Sequence, residues 1–171
     1  TIQHGRRYYH YPQHWAAAGI HNYGQRVLIS HCIIRENTGI DGATAIGNDT
    51  GHMEIVHSSI INNGTDDPDS AGAIRNSGYT FSSGGYHLPY LWINKSTVSG
   101  NSSGYGSTIS NSTGNLLIMQ NSTVSGNEAL SDVGGLDNSG TAYLNNVTIT
   151  NNTTHDDMKY DFWSGGVWNR D

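Results

Sequence analysis

The sequence repeats one short motif, an apolar residue followed two positions later by asparagine. Its six copies lie at 20–22, 46–48, 74–76, 109–111, 136–138 and 167–169. A second motif, between these copies, runs from an apolar residue to an asparagine eight positions on, at 29–37, 55–63, 93–101, 119–127 and 144–152. Successive copies of this motif start 26, 38, 26 and 25 residues apart. Such a period indicates a solenoid, whose coils pack only on neighbouring coils.

The residues between the motifs favour strands and turns. No 3.6-residue apolar period is present, and short β-branched segments alternate with polar residues. The 171 residues include 22 glycines. Because glycine and asparagine suit turns with positive φ and are poor in helix interiors, the repeat predicts an all-β coil.

The string Ser-Thr-Val-Ser-Gly-Asn at 122–127, followed by Gly-Gly-Leu-Asp-Asn-Ser-Gly at 134–140, resembles the right-handed parallel β-helix repeat. It is most similar to the Asn- and Gly-rich versions in large secreted or surface-attached bacterial proteins. The resemblance covers roughly residues 16–171. It implies one right-handed parallel β-helix domain of about six rungs over 1–171, at an extracellular or cell-surface location. The family includes adhesins, tailspikes and polysaccharide lyases, so the fold does not assign an activity.

Stacked coils would place equivalent asparagines above one another, where buried amides can hydrogen-bond in ladders. One predicted ladder contains Asn22, Asn48, Asn76, Asn111, Asn138 and Asn169, and the other contains Asn37, Asn63, Asn101, Asn127 and Asn152. Apolar columns are expected to line the interior, for example Ile29, Ile55, Ile93, Met119 and Leu144. A column of Cys32 and small residues is expected to face inward near a bend.

Charge and composition exclude several classes of protein. The net charge is −6, and the eight Lys and Arg residues form no basic patch, so no nucleic-acid partner is expected. No apolar run approaches the length of a membrane span. The single cysteine, Cys32, cannot support an intrachain disulfide framework.

One column with outward-facing positions is apolar: Leu28, Trp92, Ile118 and Tyr143, with Glu54 among them. An exposed apolar stripe marks a contact surface. It predicts either a lateral contact with another chain or a platform on which sugars stack. Cover by the long loop at 79–90 is the alternative.

Nine asparagines open N-x-Ser/Thr sequons. A laddered, inward asparagine could not carry a sugar, so the candidate glycosylation sites are Asn94, Asn121 and Asn151, outside both ladders. The Ser/Thr-rich repeat itself accounts for the sequons if no sugar is attached.

Long loops are expected at 6–15, 64–71, 79–90 and 153–163. The second holds Asp66, Asp67 and Asp69, whose carboxylates suit Ca²⁺, although a solvated acidic turn is the simpler interpretation. No other metal or cofactor is predicted.

The sequence shows no nucleophile–base pair and no phosphate-binding loop, so no catalytic residue is predicted. These features favour a structural or adhesive module of a surface protein or fibre. The alternative is a polysaccharide lyase or a glycan-binding module on the same fold. Because neither end of the repeat resembles a cap, the expected partners are flanking rungs of a longer chain or identical subunits stacked end to end.

Overall fold

The computed structural model describes residues 1–5, 17–39, 42–64, 72–78, 80–82, 85–87, 89–104, 106–155 and 164–170. The described residues form twenty strands, β1 to β20 in chain order, and no helix. The strands stack as a parallel β-solenoid whose walls are three faces. No helix in the described part of the chain has the length and apolar character needed to cross a membrane.

Two of the faces belong to one nine-stranded sheet, because two long strands continue around the bend between them. The first face contains β3 (Arg26–Ser30), β6 (His52–Val56), β11 (Tyr90–Asn94) and the first halves of β15 (Leu116–Ser125) and β18 (Thr141–Thr150). The second face contains β1 (Ile2–Gln3), β4 (Ile33–Arg35), β7 (Ser59–Ile61), β12 (Thr97–Ser99) and the second halves of β15 and β18.

The third face is a six-stranded sheet built from the apolar-x-Asn motif. It contains β2 (Ile20–Tyr23), β5 (Ile46–Asp49), β8 (Ile74–Ser77), β14 (Ile109–Asn111), β17 (Leu136–Asn138) and β20 (Val167–Asn169). A small parallel sheet joins β13 (Ser102–Ser103), β16 (Glu128–Ala129) and β19 (Thr153–Thr154), and β9 (Thr80–Ser82) pairs with β10 (Gly85–His87) as an antiparallel hairpin.

The register of the strands follows the sequence repeat. Leu117 pairs with Leu91 on one side and with Ala142 on the other, and Ile46 pairs with Ile20 and Ile74. Each inward position therefore repeats from coil to coil, and the alternation of side chains within a strand keeps these apolar columns inside. The parallel β-solenoid predicted from the sequence is confirmed. Its right-handed sense stays a prediction, in agreement with the handedness rule for parallel connections.

The solenoid has about four turns, slightly fewer than the six rungs expected. The first face holds five strands and the other two hold six, because the outermost motif copies belong to incomplete turns. The inward column is buried at Ile55, Ile93 and Met119, but Leu144 in β18 is 42% exposed. The expectation that Leu144 lies inside is therefore corrected, since no described strand pairs with the outer edge of β18.

Both predicted asparagine ladders are confirmed. In the third face, the Nδ2 of each asparagine donates to the Oδ1 of the next one, without a break from Asn22 to Asn169, at 2.7–2.9 Å. After the second face, the same bond runs from Asn37 to Asn152 at 2.8–3.0 Å. In this second ladder the Oδ1 also accepts the backbone N–H of the preceding coil's asparagine.

The bend between the first and second faces holds a third ladder that the sequence did not predict. The backbone N–H of Cys32, Ser58 and Ser96 each donates to the hydroxyl of the next serine, ending at Ser122, at 3.1 or 3.2 Å. Each serine hydroxyl in turn donates to the carbonyl two residues earlier in its own coil. The chain turns sharply here because the residue just before this position has a positive φ, between 49° and 53°, in all five coils. These residues are His31, His57, Lys95, Asn121 and Asn146.

Replacing Asn101 by alanine is expected to lower the free energy of unfolding by about 3 kcal/mol, because buried partners lose their hydrogen bonds. The Oδ1 of Asn101 accepts from the backbone and the side chain of Asn63, and its Nδ2 donates to Asn127. Urea denaturation measures the change. The matched control is Asn145→Ala, an exposed asparagine, with an expected change within about 0.5 kcal/mol. Equal changes for the two variants would contradict the ladder's role.

Candidate functional site

On the outer surface of the third face, the carboxylate of Asp49 on β5 forms an ion pair with Arg75. Asp49 is 9% exposed and accepts two hydrogen bonds from Nη2 of Arg75, at 3.0 Å to each carboxylate oxygen. The hydroxyl of Ser77 donates to the same carboxylate at 2.6 Å, and Nε2 of His21 lies 2.9 Å from it. The carboxylate thus ties three adjacent strands together. Its oxygens are used for this packing, so the cluster is structural in character.

A second cluster lies at the other end of the same face, where β17 and β20 are neighbours. Nε and Nη2 of Arg170 donate to the two carboxylate oxygens of Asp137, both at 3.0 Å. Nη2 of Arg170 also lies 3.4 Å from Asp132. The guanidinium group stacks over Trp168, with Cζ 4.3 Å from the ring centroid. One cation therefore serves two carboxylates beside an aromatic ring.

Asp132 has two unusual properties. Its φ is 134°, a backbone conformation that residues with a side chain rarely adopt. Burial, and then the negative charge of Asp137, raise the pKa of Asp132 to about 6, although Arg170 and Ser107 oppose the shift. Burial also raises the pKa of Asp137, against the effect of Arg170. The cluster therefore places a carboxyl group with a raised pKa next to a cation.

Sequence reasoning missed both clusters. It noted only that the Lys and Arg residues form no basic patch, and it assigned no role to Arg75, Asp137 or Trp168. The signal was present in the middle position of the apolar-x-Asn motif, which alternation directs outward. The titratable, charged or aromatic residues at this middle position are His21, Arg75, Asp137 and Trp168.

The predicted apolar stripe lies on the outer surface of the first face. Paired positions join Leu28 to Glu54, Glu54 to Trp92, Trp92 to Ile118 and Ile118 to Tyr143. Leu28 is 63% exposed and Tyr143 is 61% exposed, whereas Trp92 and Ile118 are partly covered. The stripe is therefore most accessible at its two ends and partly accessible between them. The alternative cover was the loop at 79–90, and the side chains of its residues 79–88 lie outside the described part of the chain.

The candidate glycosylation sites differ in their surroundings. Asn121 and Asn151 are exposed, at bends with φ of 49° and 55°. Asn94 is partly buried, and its Oδ1 accepts from Nδ2 of Asn121 at 3.2 Å. Glycosylation of these residues stays a prediction.

The candidate Ca²⁺ ligands Asp66, Asp67 and Asp69 lie outside the described residues, as do most residues of the predicted long loops. Within the described ranges, no three or more His, Cys, Asp or Glu side chains are grouped so as to hold a metal ion. The thiol of Cys32 donates to the backbone carbonyl of Ser30 at 3.3 Å.

No protein family, curated protein or solved structure matches the chain. The structure shows the resemblance to β-helix repeats at the level of a parallel β-solenoid with stacked coils.

Asp132 is expected to make the protein less stable as the pH rises from about 4 to above 6. Its pKa is higher in the folded protein than the usual 3.8, so folding favours the protonated form and loses stability as that proton leaves. Asp132→Asn removes the titration. The variant should match the wild type near pH 4 and melt at a higher temperature above pH 6, as measured by thermal denaturation across this range. A constant difference in melting temperature between the two proteins would contradict the shifted pKa.

Proposed function

We propose that the chain is a structural or adhesive module of an extracellular surface protein or fibre. The observation that carries this proposal is the pair of uninterrupted amide ladders. Their buried asparagines bond one coil to the next, from Asn22 to Asn169 and from Asn37 to Asn152. Recurrent polar residues are thus used to hold the coil together. The Asn- and Gly-rich repeats that the sequence resembles occur in secreted and surface-attached proteins.

We also propose that further coils are the module's partners, either from flanking chain or from a second copy stacked end to end. Among the described strands, β18 and β20 each pair along one edge only. Leu144 and Val167, which continue inward columns, are each 42% exposed at this end. Another coil would pair with these edges and cover both side chains. Stacked copies would form a filament.

A structural module of a fibre should resist stretching, and its resistance should depend on the ladders. Pulling the chain between its two ends by single-molecule force spectroscopy measures this. We expect the wild type to unfold at a higher force than Asn101→Ala, with Asn145→Ala unchanged. Extension without a resolvable force peak in the wild type would contradict the structural role.

A second candidate function, a polysaccharide lyase, is favoured by the Asp132–Asp137–Arg170 cluster. A lyase removes the proton next to a uronate carboxyl group and breaks the glycosidic bond β to it. Asp132 would accept the proton, since its pKa is raised to about 6. Arg170 would neutralise the uronate as charge develops. The leaving glycosidic oxygen would take up a proton from water as its bond to the uronate ring breaks.

An assay for cleavage of uronate polymers distinguishes the structural role from the lyase. The absorbance of the unsaturated product formed from polygalacturonate or alginate measures lyase activity. The structural proposal predicts no turnover by the folded chain. Turnover by the wild type that disappears in Asp132→Asn, with the fold retained, would replace it with the lyase.

A further inference from the structure

The first face presents an apolar surface that the ladders do not explain. Three adjacent strands, β11, β15 and β18, direct their outward side chains into one area. We call this area the aromatic patch, and it consists of Tyr90, Trp92, Leu116, Ile118 and Tyr143. The register places Tyr90 beside Leu116, and it places Ile118 between Trp92 and Tyr143. The patch is therefore continuous across the three strands.

Two aromatic residues of the patch, Trp92 and Tyr143, lie in the same outward column. Neighbouring strands of a sheet are about 4.8 Å apart, so Trp92 and Tyr143, two strands apart, are separated by roughly 10 Å along the solenoid axis. A ligand lying along this axis meets the same backbone geometry at every coil. Because Ile118 lies between Trp92 and Tyr143, an extended polymer whose rings repeat with a similar spacing would place two alternate rings against these two aromatic side chains.

Amide groups border the patch on the side of the bend. Gln120 and Asn145 occupy neighbouring outward positions on β15 and β18. Asn145 is exposed and Gln120 is partly exposed. Within the described residues neither side chain makes a hydrogen bond. Free amides offer both donors and acceptors next to an apolar surface. This combination matches a sugar, which has an apolar face of C–H groups and a rim of hydroxyls.

The charge of the patch indicates a neutral ligand. The charged residues on this face that are close to the patch, Arg26 and Glu54, pair with each other at 2.9 Å. The whole chain carries a net charge of −6, which disfavours polyanions such as uronate polymers. A neutral polysaccharide needs no counter-charge and loses no ion pair on binding.

We propose that the aromatic patch binds a neutral, extended, β-linked polysaccharide of the cellulose or chitin class. Tyr143 and Trp92 stack against sugar rings, and Gln120 and Asn145 hydrogen-bond to the hydroxyls at their edge. The proposal deepens the adhesive part of the proposed function and rests on that part alone. It involves no bond cleavage, and the Asp132–Asp137–Arg170 cluster on the third face takes no part in it.

Retention on insoluble cellulose and chitin, followed by titration with their soluble oligosaccharides, tests the proposal. The wild type should be retained on at least one of the two polymers at low and at moderate salt. Tyr143→Ala and Trp92→Ala should each weaken binding at least about tenfold, since a few aromatic residues carry most of the affinity of such surfaces. Gln120→Ala should weaken binding less.

Tyr23→Ala is the matched control, because Tyr23 is an exposed tyrosine on the third face, 71% accessible. Its binding should equal that of the wild type. Urea denaturation of each variant shows whether the solenoid is intact. If Trp92→Ala unfolds the protein, Tyr143→Ala still tests the proposal, because Tyr143 is highly exposed and its replacement should not disturb the fold. Wild-type protein that is folded but not retained, or that binds equally after Tyr143→Ala, would overturn the proposal. Those results would leave the structural role standing, since that role is tested by the unfolding force.

Discussion

The amide hydrogen bond between equivalent asparagines of successive coils is the interaction on which this structure depends. A solenoid turns its backbone sharply in every coil, and these turns bring polar groups inside. Asn63, Asn101 and Asn127 satisfy them because each donates forward and accepts from behind. The bond forms only if the same residue recurs at the same phase, which explains the regular position of asparagine in the sequence.

Because the interior supplies the cohesion, the three outer surfaces are free to differ. The first face is apolar and aromatic around Trp92. The third face carries ion pairs centred on Asp49 and Asp137. Chemistry and recognition can thus change from one face to another without altering the coil, which is how one repeat fold serves several functions.

The sequence predicts the parallel coil, the columns and both asparagine ladders, because these depend on residues that recur at fixed spacing. It does not predict the ladder through Ser58 and Ser96, since serine is common throughout the chain and its hydroxyl bonds depend on the bend. It also misses the pairing of Asp137 with Arg170. Those residues are 33 positions apart and do not recur, and their contact arises only when β20 packs against β17.

The end of the coil shows a related limit. Periodicity assigns Leu144 to the interior, but a residue is buried only if another coil lies over it. Leu144 is on the outermost described strand of its face and is therefore exposed. Sequence columns predict which way a side chain points, whereas burial depends on what stacks above it.

Hydrogen exchange of the asparagine side-chain amides, followed by NMR, tests the central claim most directly. If the ladders hold the coils together, the Nδ2 protons of Asn63, Asn101 and Asn127 should exchange only through global unfolding. They should then share the protection of the buried backbone amides. Exchange as fast as that of the exposed side chain of Asn145 would contradict the account.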